Sequence, residues 1–301
     1  MSVLRADDGQ TLVLSVLVLA SLLGMSALVI DAGAWLRESR RTQATADAAA
    51  LAGAQALPED PAGAVQLAVD YARKNGGGVD AADVTVQTTG DAHDSLDVRA
   101  HATAHSVLAR IAGIGDVGVA GRATATAQRL GRVRYVAPIG VDQSNALLQC
   151  RPFPCFDQET TLTLGKVGPG GFGLVNLDQT PPEIASAPIL ADWLRRGFQD
   201  PLAVGSYYSA TGTKYNSTEF KAALNERLGS EVLLPVYDAL VGGGSTATFH
   251  VVGWVGFRIS GFSGSGSTGT LQGRFVKLTW DGDPASSTQP DFGARTVELV
   301  R

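Results

Sequence analysis

Between Leu12 and Ile30 the chain carries no charged side chain. At about 1.5 Å per residue, these roughly 19 residues reach about 28 Å as a helix, close to the ~30 Å hydrocarbon core of a bilayer. Asp7, Asp8 and Gly9 precede the run and Asp31 closes it. A single transmembrane helix over residues 11–30 follows, with residues 1–10 as a flank and the lipid bilayer as the first partner. Two readings compete with it. A buried core helix is usually shorter and keeps a polar stripe. A cleaved signal peptide would use the small residues Ala32-Gly33-Ala34 and leave Trp35 as the first residue. Signal h-regions run to about 7–15 residues, however, and here Arg5 is the only basic residue ahead of the run. The side on which the rest of the chain lies is contested. Arg37, Arg40 and Arg41 outnumber Arg5, so counting positive charges puts the bulk in the cytoplasm. The cysteines and the β-rich remainder point the other way.

The spanning helix has no reason to stop at the bilayer. Residues Asp31 to Leu57 are alanine-rich and contain no proline before Pro58, so they read as its continuation. Ala48, Ala52 and Ala56 share one face, as Ala20 and Gly24 do within the membrane, and small residues at that spacing permit close helix packing. The plainer reading is that alanine is a good helix former. A second helix is predicted from Asp60-Pro61, a capping residue followed by a first-turn proline, with Val65, Ala68, Val69 and Ala72 on one face. Asn75 and three glycines end it. Alternating patterns then predict strands around Val84 and Val86, over Leu96–Ala104, and over Val117–Ala127, with a short helix at Ser106–Ile111.

With 301 residues, 45% of them hydrophobic, there is material for about two domains. A boundary is expected near residues 131–138. Beyond it strands are predicted at Thr160–Leu164, Val232–Tyr237, Phe249–Ile259 and Arg274–Trp280. Two helices are expected, one over residues 182–196 and one over residues 216–228, the latter capped by Asn216 with Glu219 in the capping-box position. Residues 261–269 (GFSGSGSTG) read as a flexible loop. The fold class is therefore α+β: a transmembrane helix running into a long helix, a small αββαβ domain over residues 31–130, and a β-rich C-terminal domain with two helices over residues 131–301.

Chemistry is sparse. The net charge of -5 disfavours nucleic acid as a partner. Asp142-Gln143-Ser144 opens like a metal-binding DxSxS sequence, but Ala146 stands where the last serine belongs. His101 and His105 are four apart with no third ligand close by. The glycines of Gly168 to Gly173 lack the lysine and hydroxyl residue of a phosphate loop. No GxSxG or HExxH occurs, and no small-molecule substrate or cofactor is evident. The expectation is a protein that is not an enzyme. Cys150 and Cys155 flank Arg151-Pro152-Phe153-Pro154, whose prolines favour a turn, so a disulfide is expected with free thiols as the alternative.

The segment VIDAGAWLRESRRTQATADAAALAGAQAL resembles the TadG-like proteins of the Tad/Flp pilus-assembly system. In that family an apolar helix leads into an aspartate-small-glycine sequence, a basic stretch and an "ADAAALAGA" segment. Asp31, Gly33, the arginines of 37–41, and Ala46, Asp47, Ala48, Ala49, Ala50, Leu51, Ala52 and Gly53 occupy those places. Residues 107–113 and 119–127 resemble the family's closing helix and strand. Gly171-Phe172-Gly173-Leu174, Val232–Val236 and Val251–Ile259 resemble the later strands of long members. The resemblance implies a single-pass membrane protein with its mass outside the cytoplasm, acting in pilus assembly or secretion, with other assembly proteins or pilins as partners. Gly9-Gln10-Thr11-Leu12 resembles a prepilin cleavage site, but Leu14 stands where that site has glutamate, which argues against processing. A different class, a membrane-tethered module binding glycan or a surface protein through the C-terminal domain, is the alternative.

Overall fold

The structure, a computed structural model, describes residues 7–165, 170–178, 185–210, 212–243, 246–286 and 288–300. The chain forms two compact units. The first comprises residues up to Thr126 and the chain end from Glu298; the second runs from Ala127 to Val297.

The first unit is organised by one helix, α1 (Asp7–Ala54), which contains both the apolar run and the alanine-rich segment without interruption. Its apolar part keeps its polar side chains satisfied internally. The hydroxyls of Ser15, Ser21 and Ser26 each donate to the carbonyl four residues back, at 2.8 Å. A second helix, α2 (Pro61–Lys74), starts where Asp60 accepts a hydrogen bond from the Gly63 amide and ends as the Asn75 and Gly77 amides turn back to Ala72. Three antiparallel strands follow: β1 (Val84–Gln87), β2 (Ser95–Ala104) and β3 (Val117–Val133), with Val84 opposite Val98 and Leu96 opposite Ala125. The short helix expected between β2 and β3 is a 3₁₀ turn, Ala109–Ala112.

Each predicted helix face is buried only in part. On α1 the buried stripe is Ala46, Ala49, Ala50, Gly53 and Ala54, with Ala52 at its edge and Ala48 half-exposed; in the turn after it Leu57 is buried and Ala56 half-exposed. On α2 it is Ala64, Ala68 and Ala72, with Val65 and Val69 half-exposed. The reason is distance. The helices approach so closely that a Cβ placed on Gly53 would lie 2.6 Å from the Ala64 carbonyl oxygen and 3.1 Å from the Ala68 Cβ. Only the smallest side chains fit that seam, so the valines are turned to its rim.

The second unit is built on mixed strands: β4 (Ile139–Asp142), β5 (Glu159–Leu164), β6 (Gly171–Asn176), β7 (Leu202–Ala203), β8 (Gly205–Ala210), β9 (Glu231–Val241), β10 (Thr248–Ser265) and β11 (Thr268–Val276). Six of them pair in a closed ring, β10–β11–β5–β6–β4–β9 and back to β10, and β8 bridges β10 and β6. The β4–β9 and β5–β6 pairings are parallel and the other pairings of the ring are antiparallel. Phe172, Phe257, Phe275, Val236, Val255 and Leu271 fill one core, to which helices α3 (Ala187–Arg196) and α4 (Thr218–Glu226) add Leu190, Leu194, Phe220 and Leu224.

Two local expectations change here. Ser217, not Asn216, caps α4, its hydroxyl accepting from the Phe220 amide. Asn216 instead donates to the carbonyls of Gly266 and Thr268. Residues 261–269 are no loose loop: β10 and β11 run through them, with Ser265 opposite Thr268 across a two-residue turn that begins with Gly266 at φ 56°.

Candidate functional site: the spanning helix and its clasp

α1 is long and apolar enough to cross a membrane, and none of its most apolar stretch is covered by protein. What happens at its upper end was not legible from residue spacing. Asp31 is fully buried, and its carboxylate accepts three backbone amides in a row: Val107 at 3.1 Å, Leu108 at 2.9 Å, and Ala109. These partners lie 76 to 78 residues away in sequence, so the aspartate that ends the apolar run is also the anchor of the β2–β3 connection.

A second carboxylate closes the base of that connection. Asp116 accepts from the Ser106 amide at 3.1 Å, from Arg110 at 2.8 Å and from the His105 ring at 2.8 Å. The Ser106 hydroxyl adds a 2.7 Å bond to the Gly115 carbonyl. Hydrogen bonds from His105 first, then from Arg110 and the Ser106 amide, hold the Asp116 carboxyl down to about 2. The two carboxylates clasp residues 106–116 beside α1.

Further along α1, Gln43 ties the helix to β3. Its amide donates to Asp47 and to the Arg122 carbonyl, each at 2.8 Å, and its oxygen accepts from the Arg122 amide at 3.2 Å. Gly121 makes room for this: a Cβ there would lie 2.7 Å from the Gln43 Cα. Thr45 donates to the Asn75 carbonyl at 2.9 Å and so secures the end of α2. The family-motif residues thus divide. Ala46, Ala49, Ala50, Ala52 and Gly53 face the fold, Asp47 accepts from Gln43, and Ala48 and Leu51 are half-buried. Gly33 is exposed, as is Ala20, and Gly24 lines a groove against the clasped connection.

Cys150 and Cys155 are joined by a disulfide with their Cα atoms 5.6 Å apart. The other sequence candidates resolve into local structure. The Asp142 carboxylate accepts the Ser144 amide at 2.8 Å and its hydroxyl at 2.6 Å, which is a turn closing on itself. His101 and His105 each face their own aspartate, Asp83 and Asp116. Among the described residues no group of three His, Cys, Asp or Glu side chains gathers to hold a metal. Gly171 and Gly173 lie in β6, where a Cβ on Gly173 would meet the Phe249 ring at 2.6 Å; residues 168 and 169 of that glycine-rich segment lie outside the described residues.

A helix with an apolar half long enough to cross a membrane and a small-residue half, continuous with a helix-on-sheet unit, is the feature that defines the first unit. Residues 9–56, which is nearly all of α1, match the family model Tad, described as "Putative Flp pilus-assembly TadE/G-like". Comparison with curated proteins and with solved structures found no match. The Tad match supports a role in pilus assembly.

Proposed function

We propose that the chain is a non-catalytic, membrane-anchored component of a Tad/Flp-type pilus-assembly or secretion apparatus, crossing the membrane once with its folded mass on the extracytoplasmic side. The observation that carries this reading is the coincidence of the Tad match with α1, so that the matched segment is both the apolar helix and the alanine seam on which the first unit packs. The Cys150–Cys155 pair supports the extracytoplasmic placement, because structural disulfides persist in oxidising compartments. The excess of arginine after the helix opposes it on charge alone. The partners are other assembly proteins or pilins. In the native bacterium, deletion is expected to abolish surface pili counted by electron microscopy, with recovery on complementation. Intact pili in the deletion strain overturn the reading. Protease added to spheroplasts is expected to degrade the second unit; full protection overturns the orientation.

A further inference from the structure

The clasped connection exposes the wrong residues for a surface loop. Ile111 is 86% exposed, Val107 67% and Ile114 44%, and they are held out in concert on a turn only a few residues long. With Leu108 they stand beside α1, and Leu108, Ile111 and Ile114 line a groove of about 660 Å³ with Leu23 and Leu28. Leu28 and Leu23 precede Asp31 by about 4.5 and 12 Å along the helix axis at 1.5 Å per residue. The turn therefore reaches back past the end of the apolar run, to a depth where the helix itself is uncovered.

A backbone that enters hydrocarbon must satisfy its polar groups within the protein. Most of the amides of this one are so bonded. The amides of 106 to 109 are taken by Asp116 and Asp31. Those of Ile111, Gly113 and Ile114 are taken by the carbonyls of Leu108, Arg110 and Ala109, at 3.0, 3.1 and 3.0 Å. Arg110 is turned back to Asp116, away from the apolar tip.

We infer that residues 107–114 form a second membrane contact, a turn with most of its amides bonded within the protein that inserts into the leaflet at the Asp31 end of α1, with lipid acyl chains occupying the groove beside Leu23 and Leu28. The inference rests on Leu12–Ile30 spanning the bilayer. The occupant is lipid because the groove is continuous with the uncovered apolar surface of α1 and carries no charged side chain at its tip. The turn acts as a depth stop: it fixes how far α1 can slide and how it can rotate about its axis.

The test uses the full chain in vesicles of phosphatidylethanolamine and phosphatidylglycerol, with a nitroxide on Ile111→Cys, Leu19→Cys or Thr288→Cys. The native cysteines, being bridged, do not take the label. Collision with oxygen, which concentrates in lipid, is compared with collision with a water-soluble nickel chelate. Ile111 is expected to behave like Leu19, with an oxygen-to-nickel accessibility ratio several-fold above that of Thr288. A ratio at Ile111 equal to that at Thr288, with Leu19 lipid-exposed, overturns the insertion while leaving the spanning helix intact. Shielding of Ile111 from both reagents overturns it in favour of a protein partner in the groove. An aqueous Leu19 overturns both readings.

Discussion

Glycine to alanine in the middle of a helix ordinarily stabilises, by about 1 kcal/mol, because alanine loses less conformational entropy on folding. At Gly53 the sign should reverse. The added Cβ would stand 2.3 Å from Leu96 Cδ2 and 2.6 Å from the Ala64 carbonyl oxygen. Leu96 is fully buried and has little freedom to withdraw, and the second obstacle is the backbone of α2. Relieving it means moving α2 off α1 by more than half an ångström along a seam of alanines that has no long side chains to absorb the shift. Overpacking of this kind costs about 1–3 kcal/mol, so after the propensity gain the net loss is about 1 kcal/mol and at most about 2. Gly33→Ala is the internal control. It lies on the same helix, is exposed, and has nothing within 4 Å of its Cβ position. It should show the ordinary gain. Thermal unfolding followed by circular dichroism in detergent micelles should therefore move the two variants in opposite directions, by a few degrees each for a unit of this size. If Gly53→Ala raises the midpoint as Gly33→Ala does, the seam is looser than the geometry says and the explanation of the buried alanine stripe is wrong.

Leu19→Arg should weaken insertion by about 2.5–3.5 kcal/mol at mid-bilayer, read as a shift of the chain from the membrane to the soluble fraction; unchanged fractionation sinks the spanning assignment. Alkylation before any reductant should leave Cys150 and Cys155 unmodified, and Cys155→Ser should lower stability by about 2 kcal/mol on the chain-entropy estimate for so short a loop; two modified thiols at the outset refute the bridge. Asp116 has its carboxyl lowered from 3.8 to about 2 by its partners, so its contribution is fully present above the ordinary value and is lost as pH falls through that interval. A nitroxide at Ile111 should accordingly gain mobility between about pH 4 and pH 2, and Asp116→Asn should show raised mobility at neutral pH and a smaller step, since Asp31 still holds the same turn; a flat wild-type response refutes the clasp.

The parts of this fold that were legible in the sequence are those specified locally. Asp60-Pro61 and Asn75 marked the ends of α2 because capping is a matter of adjacent residues, and the alternation of Leu96, Val98 and Ala100 marked β2 because a strand has a period of two. On α2 the predicted Ala68 and Ala72 are buried but Val65 and Val69 are not, because a reader ranks valine above alanine as core, whereas a close helix seam inverts that ranking. Asp31 looked like a boundary marker since nothing near it in sequence announces the amides of 107–109. The ring in the second unit was equally hidden: its parallel joins, Val141 beside Val236 and Thr163 beside Gly171, depend on where distant segments meet. The hairpin through residues 261–269 was mistaken for a loop because serine and glycine carry little strand signal, although the long partner strands on either side enforce pairing.

The absence of a break between the apolar and alanine-rich halves of α1 has a mechanical consequence. The 48 residues span about 72 Å at 1.5 Å per residue, and about 35 Å of that lies beyond Asp31. A folded unit tethered by a flexible linker would first take up slack under load. Here the unit is packed directly along the rod, held at Gln43 and Thr45 and again at Gly53, roughly two turns further along. With α1 crossing the bilayer as proposed, a pull on the unit would reach the membrane as torque and axial force on a single stiff element, without an intervening spring.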